Sequence, residues 1–257
     1  VSIISSTANS TDSGFYDFPI NQSLRFDGAS TLSRTFSSGG NTTTWTWSCW
    51  VKRSRIGTAT VDRQALLSSG STEQNNDIFF FYSDTIYSYF KQNDTGLGWE
   101  QPTALLRDTN SWYHIVLAID LNQSASADKI KTYINGVLQT SIGDNAITSS
   151  FTSTLVNSAI IHKIGGWFAN TYYLDGYLAN IQFIDGQALD QYFFGEFKNG
   201  LWIPFNAFST AGSGTATASD GDTATDSYGT NGFRLTFSNA SDLGEDSSGN
   251  NNDWTVN

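Results

Sequence analysis

Residues 111–139, SWYHIVLAIDLNQSASADKIKTYINGVLQ, hold two alternating runs and a tight-turn dipeptide, a combination that suits an antiparallel sheet. In the first run Tyr113, Ile115, Leu117 and Ile119 share one face, and Trp112, His114, Val116 and Ala118 share the other. Both faces are substantially apolar, so this strand is expected inside a sheet with cover on either side. The second run, Lys129 to Ile134, sets Ile130, Thr132 and Ile134 against Lys129, Lys131 and Tyr133. Asn135-Gly136 then supplies the positive φ angles that a two-residue hairpin requires.

A chain of 257 residues is long enough for one large sandwich with appendages. Eight Trp, eleven Tyr and eighteen Phe supply core area, Met is absent, and only three Pro interrupt the pattern, a balance that suits strands and turns. The net charge of −11 excludes the electrostatics of a nucleic-acid binder, which neutralises phosphates with Lys and Arg, and disfavours anionic membrane surfaces. No apolar run approaches the roughly 20 residues that span a bilayer. Cys49 is the single cysteine, so no intrachain disulfide forms, and its setting in TWSCWVK predicts a small buried side chain. A chain that starts with Val and lacks Met reads as trimmed or as part of something longer.

Residues 1–20 read as an extended N-terminal arm whose Phe15, Tyr16, Phe18 and Ile20 are candidate contacts to a neighbouring subunit. Residues 21–208 carry short strand-like runs at sandwich spacing, with one helix-like piece at 188–197. Residues 209–230, rich in Ser, Thr, Gly and Asp, read as a flexible linker or a surface excursion. Residues 231–257 return to strand and then close on an acidic loop and the stub DWTVN. That ending looks interrupted, so the segment either completes the sandwich or leads into further chain.

The chemistry expected of an enzyme is missing. Glycoside hydrolysis needs two carboxylates flanking the scissile bond. The four Glu, at 73, 100, 196 and 245, do not form a Glu-x-Asp-x-Glu pattern. Asp175 and Asp185 would stand roughly 30 Å apart on an extended strand, and both Asp-Gly pairs suit turns. His114 and His162 sit in apolar runs without metal ligands at suitable spacing, which predicts structural histidines. Loop aromatics beside Asn, Asp and Gln are better placed for sugar contact, and Trp99 in NDTGLGWEQ with Trp167, Tyr172 and Tyr173 in GGWFANTYY are the candidates.

Three segments together, WTWSCWVKRS, SWYHIVLAID...KIKTYINGVL and HKIGGW...YLDGYLANIQFIDGQAL, resemble the laminin G and concanavalin A-like lectin jelly-roll superfamily over roughly residues 22–200. The resemblance implies an all-β sandwich of two antiparallel sheets, with Trp50 and Val51 facing inward. It predicts burial of Trp47, Trp50, Ile115, Leu117, Ile134, Leu178 and Phe183. More narrowly, LSRTFSSGGNTTTWTWSCWVKRS, FIDGQAL and DSSGNNNDWTVN are similar to structural proteins of tailed bacteriophages of aquatic bacteria. This implies a non-enzymatic module on the outer surface of a virion, as capsid decoration or as part of a tail fibre or other appendage. Its partners would be other virion proteins and further copies of itself. An adhesin for host surface polysaccharide is the first alternative and a polysaccharide depolymerase the second. No cofactor is required for these roles; calcium is the one cofactor with a claim, since related sandwiches use Asp side chains and loop carbonyls at a rim. The patches Asn75, Asn76, Asp77 and Asp246, Asn250, Asp253 are its weak candidates, each readable as a hydrated acidic loop.

Overall fold

The computed structural model describes residues 15–58, 62–140, 147–209 and 214–257. Eighteen strands among these residues form two large antiparallel sheets and two hairpins. Sheet A orders β1 (Leu24–Asp27), β12 (Asp175–Asp185), β3 (Thr44–Arg53), β8 (Tyr113–Asp120), β9 (Ile130–Ile134) and β10 (Val137–Leu138), with β17 (Phe233–Leu235) also paired to β12. Sheet B orders β18 (Thr255–Val256), β2 (Leu32–Thr35), β11 (Ile161–Ile164), β4 (Gln64–Thr72), β5 (Asn75–Tyr82), β6 (Thr85–Gln92) and β7 (Thr95–Glu100). The result is the expected all-β jelly-roll sandwich.

Alternation along each strand fixes which side chains meet between the sheets. From sheet A come Trp45, Trp47, Val51, Ile115, Leu117 and Phe183, and from sheet B Leu66, Phe79, Phe81, Ile86 and Phe90, all in one buried cluster. The seven residues expected to be buried are so, from 0% exposure at Trp47 to 9% at Trp50. Trp50 is nevertheless not an inward residue. Val51 faces the core, and the pleat therefore turns Trp50 to the outer side of sheet A, where its ring stacks on His114 at 4.8 Å.

That outer side has a core of its own. Val116, Ala118 and Tyr133 lie beneath Phe193, Phe194, Phe208, Ala216, Ala218 and Tyr228. The cover comes from residues 187–209 and 214–230, including the hairpins β13 (Gly195–Lys198) with β14 (Leu201–Pro204) and β15 (Thr215–Thr217) with β16 (Thr223–Thr225). The described part of 209–230 is thus a packed surface excursion, held by Tyr228 Oη donating to Gln182 Oε1 at 2.9 Å and Ser209 N donating to Asp226 Oδ1 at 2.9 Å. The helix-like piece at 188–197 supplies only one 3-10 turn, Gln191–Phe193, capped by Asp190. Phe193 and Phe194 both bury in the second core, and Gly195 passes so close to the Trp202 indole that a Cβ there would collide with it.

Residues 231–257 belong to the sandwich. Phe233, Leu235, Phe237 and Trp254 join the central cluster, and Thr255–Val256 extends sheet B beside β2. The described end of the N-terminal arm lies on the same chain: Asp17 pairs with Lys198 at 2.8 Å, Lys198 Nζ stands 5.9 Å from the Phe15 ring, and Arg234 covers Phe18 at 5.1 Å. Ile20 is half-buried, which leaves Tyr16, 54% exposed, as the open aromatic of this segment. Residues 1–14 of the arm are outside the described residues.

Candidate functional site

The outward face of sheet B carries a continuous track of rings. Its register sets Phe80 of β5 opposite Tyr87 of β6 and Tyr89 of β6 opposite Trp99 of β7. Same-face neighbours in an antiparallel pair stand close enough for their rings to touch. Tyr87 and Trp99 stack at 5.5 Å with planes 7° apart, and Phe80 and Tyr87 meet at 5.2 Å. Beyond β4 the loop after β11 folds over the same face, where Trp167 and Tyr172 stack at 4.9 Å and 17°. Arg63 bridges the two groups, its guanidinium carbon 5.4 Å from the Phe80 and Tyr82 ring centroids and 5.3 Å from that of Tyr172.

Three of the four aromatics expected to contact sugar, Trp99, Trp167 and Tyr172, therefore share one surface, each half-buried. Tyr173 does not join them. Its ring lies beside Gly166, 3.4 Å from where a Cβ would stand on that glycine. Sequence reasoning missed Arg63, Tyr82, Tyr87 and Tyr89. Burial among the rings pushes the Tyr87 phenol up to about 12, with Tyr89 adding to the effect, so this hydroxyl remains protonated at neutral pH. Flat apolar faces with neutral hydroxyls at their margins match the alternation of CH surfaces and hydroxyls on a sugar.

The cysteine, the two histidines and the two strand-end aspartates are each held by their surroundings. Burial pushes the Cys49 thiol up to about 12 within the core. His114 accepts at Nδ1 from Trp202 Nε1 at 3.0 Å, so its proton sits on Nε2 and points to Ser48 Oγ at 2.9 Å. His162 donates from Nδ1 to the Ile160 carbonyl at 2.9 Å and accepts at Nε2 from Asn157 N at 3.0 Å. Both are structural. Asp175 and Asp185 stand at opposite ends of β12. Arg25 and Arg55 engage the first, and Asn41 N, Asn157 Nδ2 and Asn231 N donate to the second.

The residues weighed for calcium are committed to loop geometry. Asp77 is fully buried, its Oδ2 accepting from Leu155 N at 2.5 Å and Val156 N at 3.0 Å, so it lies inside the sandwich and not at a rim. Asn75 Oδ1 accepts from Asn93 N, and Asn76 Nδ2 donates to the Thr72 and Glu73 carbonyls. Asp246 receives four donors, from Arg234 N, Ser248 N, Ser248 Oγ and Asn252 N. Asp253 accepts from Asp246 N, and Asn250 Nδ2 donates to the Gly229 and Gly232 carbonyls. Asp77 Oδ1 is enclosed without a hydrogen-bond partner. Sequence reading also missed a different acidic group, Asp190, Asp220 and Asp222, with one carboxylate oxygen of each within 4.8 Å of the others.

The family profile of the concanavalin A-like lectin/glucanases superfamily matches residues 26–191, more than half the chain, and the chain belongs to that superfamily. No curated protein sequence matches it. Among solved structures it is similar to a heptameric SAP-like pentraxin from Limulus polyphemus, with 14% identity, TM-score 0.44, and 65% of this chain and 76% of that chain covered. It is similar to the CBM40 of the Ruminococcus gnavus IT-sialidase, bound to α2,3 sialyllactose, with 14% identity, TM-score 0.46, and 64% and 95% covered. A third is domain 4 of AbnA, a GH43 extracellular arabinanase from Geobacillus stearothermophilus, in complex with arabinotriose, with 16% identity, TM-score 0.47, and 68% and 75% covered.

Proposed function

We propose that the chain is a non-enzymatic glycan-recognition module of an external virion protein, and that the outward face of sheet B is its binding surface. The observation that carries the glycan reading is the pair of ring stacks, Tyr87 with Trp99 and Trp167 with Tyr172, joined through Phe80 and Arg63 on one open sheet face. The virion setting is supported by the sequence resemblance to phage structural proteins, and host surface polysaccharide is the ligand such a setting would present. The absence of catalysis is supported by the orientation of sheet B's strand carboxylates. Those strands contain two, Asp77 and Glu100, and both turn inward, Asp77 against residues 155–156 and Glu100 to accept from Thr132 across the sandwich at 2.5 Å. Hydrolysis requires an acid and a second carboxylate at the bound sugar, and this face has neither on its strands.

A glycan array followed by titration tests the reading. Trp99→Ala and Trp167→Ala should each weaken a bound oligosaccharide about three- to tenfold, the scale of one lost ring contact, with little change in melting. Unaltered affinity in both variants, or release of reducing ends from a bound polysaccharide, would remove it. We also expect folding to be independent of metal, because the central core is formed by side-chain packing alone. Chelation should leave the melting temperature unchanged, and a drop restored by calcium would contradict this.

A further inference from the structure

We propose that the outward face of sheet B selects sugars bearing a carboxylate, with Arg63 as the receptor for that group; this rests on the glycan-binding reading above. Arg25 and Arg55 are spent on Asp175, Arg107 on Asp84, and Arg34, Arg53 and Arg234 on backbone carbonyls or side-chain amides. Arg63 alone among them makes no hydrogen bond or ion pair with a described residue. Its Nε is closed off from solvent without a partner, and so is the indole N–H of Trp167. In a chain of net charge −11, where carboxylates are abundant, a guanidinium kept without any polar partner among the described residues is a distinctive arrangement.

The surroundings favour an anionic occupant. The strands of sheet B place no carboxylate on this side, since Asp77 and Glu100 both turn inward. Lys163 adds a second cation on the same face, opposite Ser68 of β4, with Nζ 2.6 Å from Asn170 Oδ1. Three aromatic rings hold the Arg63 guanidinium, which reduces the conformational freedom lost when an anion arrives. The terminal nitrogens of such a fork match a carboxylate with two parallel charge-assisted bonds, which a lysine cannot reproduce. Arg63 also lies between the two ring stacks. Trp99 stands on β7, three strand spacings or about 14 Å from β4, whose start Arg63 adjoins. A sugar chain lying along the rings would bring a ring substituent over the guanidinium.

The competing role for Arg63 is that of a lid, its stem and guanidinium simply covering Phe80, which is 2% exposed. Arg63→Met separates the two, because it retains a long apolar cover and removes the charge, while Arg63→Lys retains the charge without the fork. The probes are oligosaccharides ending in hexuronic or nonulosonic acids, each beside its carboxyl-reduced neutral counterpart, titrated against the full chain. We expect the acidic forms to bind at least about tenfold more tightly than the reduced forms, the scale of one charge-assisted bidentate contact. Arg63→Met should lower acidic affinity to the neutral level, with Arg63→Lys intermediate. Equal affinity for acidic and reduced sugars, or a preference that survives Arg63→Met, overturns the proposal; if Trp99→Ala still weakens binding in that case, the glycan reading stands without it. Failure of every probe to bind overturns both.

Discussion

A chain ending at Thr230 should lose cooperative unfolding, although it would retain every residue of the superfamily match at 26–191. The deleted segment supplies Phe233, Leu235, Phe237 and Trp254 to the central core, none more than 6% exposed. At about 1.5 to 3 kcal/mol for each buried side chain, the loss is roughly 6 to 12 kcal/mol, comparable with the 5 to 15 kcal/mol net stability of an ordinary domain. Two further losses add to it. Removing β17 uncovers part of β12, and removing β18 strips the pairing from β2 and leaves an open edge. The Phe183 and Trp47 rings, which pack on Phe233 at 5.6 and 6.2 Å, would then face water. Near-ultraviolet circular dichroism and a urea titration read the outcome. A truncated chain that unfolds in one sharp transition close to that of the full chain would show that residues 231–257 decorate the sandwich without completing it.

The sandwich itself was legible where local chemistry and alternation agree. Asn135 and Gly136 adopt φ of +48° and +80° and close Ile134 onto Val137, as the dipeptide requires. The two-faced run at 113–120 lies inside sheet A with a core on each side, as its pattern implied. The segment at 209–230 was harder, because apart from Tyr228 its buried anchors are alanines, Ala216 and Ala218, whose small apolar area resembles that of a solvated loop until Phe193, Phe194 and Phe208 are brought onto them. DWTVN hid its role for another reason. A strand of two residues has no period to detect, and Trp254 finds Phe233 only after the chain has crossed the sheet. The binding face was half visible. Trp99, Trp167 and Tyr172 stood out as loop aromatics, whereas the run DIFFFYS reads as uniformly apolar although Phe80 and Tyr82 face outward and Phe79 and Phe81 inward. Arg63 had no signal of its own, since its meaning depends on rings contributed by β5 and by a loop about a hundred residues later.

Replacing Asp77 with Asn should make the protein markedly more acid-sensitive. Burial raises the Asp77 carboxyl from 3.8 to about 7, despite the opposing amides of Val156 and Leu155. Between those two values the folded state binds a proton that the unfolded state does not, so Asp77 adds stability as pH falls from 7 toward 4. The histidines act in the opposite sense. Burial lowers His114 from 6.5 to about 3, and His162 to about 4, so the unfolded chain takes up those protons first and stability falls as pH drops below 6.5. At pH 5 the two histidines together cost about 4 kcal/mol and Asp77 returns about 3 kcal/mol, taking 1.36 kcal/mol per pH unit of mismatch. The native protein should therefore lose only about 1 kcal/mol between pH 7 and pH 5 from these groups, and Asp77→Asn about 4 kcal/mol. The amide can keep the bonds from the Leu155 and Val156 N–H groups through its oxygen, so that loop stays anchored while the titration is removed. Stability curves at pH 5, 6 and 7 decide it. Parallel pH dependence in the two proteins would mean that Asp77 keeps its charge inside the sandwich throughout this range.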